Sequence, residues 1–263
     1  MLQRAVVCVV EDVRGVTQLR DVVYVVSRWS SAIRRYNATT HRRLADIDVI
    51  GLSYAHDIAA CELTSRLYVA DIADNGECVW RVSSDGADIQ RWLPKSPSGT
   101  FKLSRLSVTS SRLLVTSRIG RQLRQFDAAG GDELRRVGLP DYMKPLHAVE
   151  SPTATFIVAH NNTQLRQYQV SEVSTEGQVL RQFSGSLGVP QHIAVDRQGN
   201  IFVADSYMHH ILLLDAQLAL RRIIIDEHQL NDRQTVRLCY LEQSGQLLVA
   251  LENTVAVFDV LQR

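Results

Sequence analysis

The chain has 263 residues, 45% hydrophobic and 22% charged, with a formal net charge of +1. That composition suits a globular protein with a large core and excludes a global field that would drive the whole molecule onto nucleic acid or membrane. No run approaches the ~18 apolar residues of a membrane span, and Cys8, Cys61, Cys78 and Cys239 form no C-x-x-C pair of the kind that marks zinc or redox sites.

In chain order, the first element is the apolar run at residues 5–10. It is too short for a signal-peptide core and is followed at once by Glu11 and Asp12, so it is expected to be a strand and the protein cytoplasmic. From there one pattern recurs. A short strand containing a valine appears at Val23-Tyr24-Val25, Leu67-Tyr68-Val69, Leu113-Leu114-Val115, Phe156-Ile157-Val158, Ile201-Phe202-Val203 and Leu247-Leu248-Val249, with the last valines 43 to 46 residues apart. A second strand follows each: Ile33–Tyr36, Val79–Val82, Leu123–Phe126, Leu165–Tyr168, Ile211–Leu214 and Val255–Phe258. Two markers with one period point to six copies of a single unit.

The fifth unit reads as four strands, Ile193–Asp196, Ile201–Ala204, Ile211–Leu214 and Leu220–Ile225, separated by turn signals such as Arg197-Gln198-Gly199-Asn200. Four short apolar strands per ~45 residues is a blade. The chain is therefore expected to be an all-β, six-bladed β-propeller of four-stranded antiparallel blades in a single domain. The blades fall at about residues 15–48, 56–94, 103–139, 146–184, 191–226 and 236–260. The last unit supplies only three strands before the chain stops, so residues 5–10 are expected to complete it and close the ring, which removes an open sheet edge.

The fifth unit, Val189-Pro190-x-x-Ile193-Ala194-Val195-Asp196-x-x-Gly199-Asn200-Ile201-Phe202-Val203-Ala204-Asp205, resembles an NHL repeat. The second unit, Asp57-Ile58-Ala59-Ala60 with Leu67-Tyr68-Val69-Ala70-Asp71, resembles it less closely. NHL propellers serve as protein- or RNA-binding ends of tripartite-motif ubiquitin ligases and are related to metal-dependent propeller enzymes. The resemblance thus implies the recognition part of a ligase-like system. No RING or B-box segment is present in these residues.

In such a ring, the loops joining second to third strands and those joining blade to blade share one face, here called the top. All the lysines, Lys95, Lys102 and Lys144, fall in blade-to-blade segments, and the neighbouring loops add Arg28, Arg118 and Arg121 with Trp29, Tyr54 and Tyr142. Asp74, Glu77 and Asp141 dilute the charge of this sector. Cations beside aromatic faces hold single-stranded RNA, and the same groups make protein hot spots. The expected function is a non-enzymatic binding or scaffold module without cofactor, engaging a protein, a peptide or RNA and not a membrane. A scatter of surface arginines is the competing reading.

The alternative is a metal-dependent hydrolase or lyase at the mouth of the central channel. His56, His147 and His192 stand near the start of the first strands of blades two, four and five, where neutral imidazoles can ligate zinc. Peptidyl-amidating lyases are similar in outline, but only His56 matches their register. His147 and His192 are displaced from it by one residue. A lactonase-like calcium site needs carboxylates and asparagines. Asn161 and Asn162 are available but are expected to shape a turn, and the early glutamate of those enzymes is missing. Polar residues two places beyond the recurring valines (Ser27, Asp71, Ser117, His160, Asp205) are expected to bond loop backbone. No G-x-S-x-G, P-loop or H-E-x-x-H motif occurs.

Overall fold

Val25, Val69, Val115, Val158, Val203 and Val249 are at most 1% exposed, because each lies on a strand packed on both faces. The computed structural model describes residues 4–72, 77–93, 103–230 and 233–260. Within them, 24 strands and one short helix, Glu227–Leu230, form six four-stranded antiparallel sheets arranged as a six-bladed β-propeller.

The inner strands are Val13–Leu19, Ala55–Cys61, Leu103–Thr109, Met143–Glu150, Pro190–Val195 and Thr235–Leu241. The sixth blade pairs Arg4–Val9 with Thr254–Asp259, so the first strand of the chain is the outermost strand of the last blade. Val255, Ala256 and Val257, which would otherwise form an open edge, are buried. The apolar side chains form six clusters, most of them shared between neighbouring sheets, so the core is itself a ring.

Blade four departs from the expected strand positions. Its third strand is Gln167–Val173, not Leu165–Tyr168. The hairpin is longer here: the second strand runs to Asn162, which pairs with Gln167, and Val170 and Val173 are buried on its opposite faces. Leu165 lies in the turn and is 59% exposed. Blade one differs in its outer strand, which is only Ile47–Asp48.

Every inner strand breaks register at the equivalent place, with one extra residue after the first pair in five blades and after the third in blade four: between Val13 and Gly15, Ala55 and Asp57, Leu103 and Arg105, Pro145 and His147, Pro190 and His192, Thr235 and Arg237. Such a bulge re-aims the side chain that follows it. The six residues after the bulge, Gly15, Asp57, Arg105, His147, His192 and Arg237, are therefore equivalent around the ring.

Candidate functional site

Where blades one and two crowd together, only glycine fits at the equivalent position. A Cβ on Gly15 would lie 2.8 Å from Ile58 Cγ2 and 2.9 Å from the Ile58 backbone nitrogen. The other five positions carry polar side chains, all at most 7% exposed, and they plug the channel. Three of them staple a blade to the next by accepting a backbone N–H. Leu106 donates to Asp57 Oδ2 at 2.7 Å, Ile193 to His147 Nδ1 at 3.3 Å, and Leu238 to His192 Nδ1 at 3.3 Å.

Arg237 crosses the channel. It forms an ion pair with Asp57 and donates through Nη2 to the carbonyls of Leu106 at 3.0 Å and Ile58 at 3.4 Å. Arg105 donates to His56 O at 3.0 Å and to Gln191 Oε1 at 3.4 Å. Asp57 thus pairs with Arg237 and also lies in the field of Arg105. Burial pushes the Asp57 carboxyl up, against the pull of Arg237 and Arg105. Burial, with Arg105 close by, lowers Arg237 to about 10, so it stays charged at neutral pH.

The imidazoles of His147 and His192 stack with centroids 3.7 Å apart. Burial and the neighbouring arginines hold both well below the ordinary histidine range, so both are neutral. Each Nδ1 accepts a backbone N–H, which places the single ring proton on Nε2. His147 Nε2 donates to Leu106 O at 3.4 Å. His56, on the bulge itself, turns aside to Ser104 O at 2.8 Å and is lowered to about 3 by burial and by Arg105. Of the three histidines considered as zinc ligands, His147 and His192 are thus brought together, while His56 is turned away to Ser104. Among the described residues no group of three or more His, Cys, Asp or Glu is placed to hold a metal ion. Asn162 accepts the backbone N–H groups of Gln164 and Leu165, both at 3.1 Å, and so shapes its turn.

On the top face, Trp29 meets Tyr54 edge to face at 4.7 Å, and Arg28 lies 5.2 Å from the Tyr54 ring and 5.9 Å from that of Trp29. Asp12 holds Arg28 in place at 3.4 Å. Trp29 is nonetheless 73% exposed. Arg118 and Arg121 are exposed, with Asp141 3.9 Å from Arg121, while Lys144 and Tyr142 are half-buried. Lys95, Lys102 and Asp74 lie outside the described residues. Sequence reasoning passed over the apolar residues on the same loops: Ile50, Ile119, Leu165, Tyr207 and Met208 are 50% to 91% exposed. Trp29, Ile119 and Tyr207 each stand two residues beyond the end of a second strand. Beneath them the loops are fixed by the polar residues that follow the recurring valines. Asp71 accepts the N–H groups of Ser53 and Tyr54, Ser117 that of Gly120, and Asp205 those of Gly188, Val189, Tyr207 and Met208.

A cavity of about 660 Å³ opens at the opposite, lower end of the channel. Its mouth is formed by the turns between first and second strands, with Arg20, Glu62, Arg197 and Glu242, and its inner end by His147, His192 and Arg237. Arg105 and Arg237 escaped notice in the sequence as two arginines among many. Their period, set by the bulge, was the available signal.

No protein-family model and no curated protein sequence matches the chain. The NHL-like fifth unit is thus a resemblance without a family match. Among solved structures, the chain is similar to a gluconolactonase from Xanthomonas campestris, with a TM-score of 0.74 and 12% identity over 99% of this chain and 90% of that one. It is also similar to a streptogramin B lyase, with a TM-score of 0.72 and 10% identity over 99% and 98%. A chain of a nidogen/laminin complex has a TM-score of 0.67 and 14% identity over 82% and 81%. Likeness at these identities shows the fold and spans enzymes and a binding assembly alike.

Proposed function

We propose that the chain is a non-enzymatic binding module that docks a protein partner on its top face. The observation that carries this reading is the set of exposed apolar side chains at equivalent loop apices, led by Trp29 braced against Tyr54 and Arg28. Large apolar groups held rigidly in solvent with an adjacent arginine have the make-up of a protein hot spot. Pre-organisation by Asp71, Ser117 and Asp205 lowers the ordering cost of binding. The aliphatic apices, Ile50, Ile119 and Leu165, favour a protein over RNA, because stacked bases call for aromatic platforms. The nidogen/laminin chain offers a precedent for such a ring within a protein complex. Recognition within a ubiquitin-ligase-like assembly is the more specific form of the proposal suggested by the NHL resemblance.

The test is cross-linking capture with the full chain, wild type against a Trp29→Ala/Ile119→Asp/Tyr207→Ala variant and a lower-face Leu63→Asp control, with and without ribonuclease. The expected result is a protein captured by wild type and by the control, lost in the top-face variant, and indifferent to ribonuclease. Capture undiminished in the top-face variant, or abolished by ribonuclease, would overturn the reading.

A further inference from the structure

The ring residues leave donors without acceptors. With its proton on Nε2, His192 is a donor there, and this N–H finds no hydrogen-bond partner among the described residues. Arg237 Nε and Nη1 are in the same position, although Nη2 is saturated by Asp57 and two carbonyls. His192 is 4% exposed and Arg237 2%. A buried unpaired donor is expensive, and a charged one more so. The charge does not balance either, since Asp57 pairs with Arg237 and Arg105 binds neutral oxygens.

His192 and Arg237 also line the inner end of the lower cavity, whose volume of about 660 Å³ is within the ordinary range for small-molecule sites. Its lining is about evenly divided between apolar residues, among them Val108, Ala194 and Val195, and polar ones such as Thr17, Ser107 and Thr109. The carboxylates on its rim and wall already have donors. Glu62 accepts from Arg20 N at 3.0 Å, Glu242 from Arg197 N at 2.7 Å, and Glu150 from Gln125 at 2.9 Å and Arg112 at 3.1 Å. Unpaired donors and positive charge thus stand at the inner end, and self-satisfied polar groups at the mouth.

We infer that the lower cavity binds a small organic carboxylate with an apolar body, its carboxylate directed at Arg237 and the His192 Nε2–H. The small number of free donors favours a monoanionic carboxylate over phosphate, which needs more of them. This site is separate from the top-face docking surface and does not depend on it.

The test uses the full chain and titration calorimetry with octanoate and 3-phenylpropionate, each against its primary amide, and with inorganic phosphate. Both acids should bind saturably and raise Tm, with the amides and phosphate at least about tenfold weaker, as expected when a charge-assisted bond is lost. Ala194→Phe narrows the cavity and should abolish binding. His192→Asn keeps an acceptor for Leu238 N–H but removes the Nε2 donor, and should weaken binding about tenfold. Absence of saturable binding at about 10 mM acid, equal binding of acid and amide, equal binding of phosphate, or full binding by Ala194→Phe would each overturn the inference. The acid–amide comparison on wild type decides even where His192→Asn does not fold.

Discussion

Replacing His160 by glutamine should make the protein less sensitive to acid. His160 is fully buried on the second strand of blade four, donates or accepts at Ser171 Oγ over 2.8 Å, and is lowered to about 4 by burial. Its unfolded value is about 6.5. A group whose folded pKa lies below its unfolded pKa contributes stability above the unfolded value and loses it as pH falls towards the folded one. At about pH 5 the unfolded chain binds a proton at this position and the folded chain does not. The gap of about 1.5 pH units at ~1.36 kcal/mol per unit costs the wild type about 2 kcal/mol relative to pH 7.5. Glutamine retains a group that can reach Ser171 and does not titrate. The loss of unfolding free energy between pH 7.5 and 5, measured by urea unfolding followed by tryptophan fluorescence, should therefore be about 2 kcal/mol smaller in His160→Gln. His56, lowered to about 3, and the stacked pair His147 and His192 act in the same direction, but they are present in both proteins and cancel. Raised carboxyls such as Glu150, which act oppositely, cancel too. Equal acid sensitivity of the two proteins would refute the argument.

Three further outcomes are expected. Gly15→Ala, driven against Ile58 backbone and side chain, should cost about 1–3 kcal/mol in urea unfolding, whereas Gly138→Ala, with nothing within 4 Å of the new Cβ, should change stability by less than about 0.5 kcal/mol. Asp205→Ala removes the acceptor of four loop N–H groups and should cost about 2–4 kcal/mol by the same measurement, with Asp205→Asn intermediate. Deleting residues 1–10 should expose the edge at Thr254–Asp259 and give concentration-dependent association by light scattering, reversed by the corresponding peptide added in trans.

The ring of blades was legible because strand burial leaves a mark in every unit: one buried valine per blade sets the period, and the unmatched strand at residues 5–10 supplies the closure. Blade four shows where that reasoning slips. Leu165 falls on the period, yet the hairpin is long enough to carry it into the turn, and the buried valines of the true strand, Val170 and Val173, lie on opposite faces among polar residues, so no alternation marks them. The channel plug was harder to see. A bulge shifts which residue faces the axis by one place, so Arg105 and Arg237 join His147 and His192 in a register that hydrophobic pattern alone does not encode. The basic–aromatic sector was half legible. Trp29, Tyr54 and Arg28 do cluster, while the apolar apices that accompany them were invisible without knowing which residues crown the loops.

The seam in blade six has a geometric corollary. Arg4 pairs with Phe258, so the two ends of the ring lie side by side, at the end of the blade opposite the loops that carry Trp29 and Tyr207. Anything joined to either end would leave from the lower side, at the outer rim of the ring.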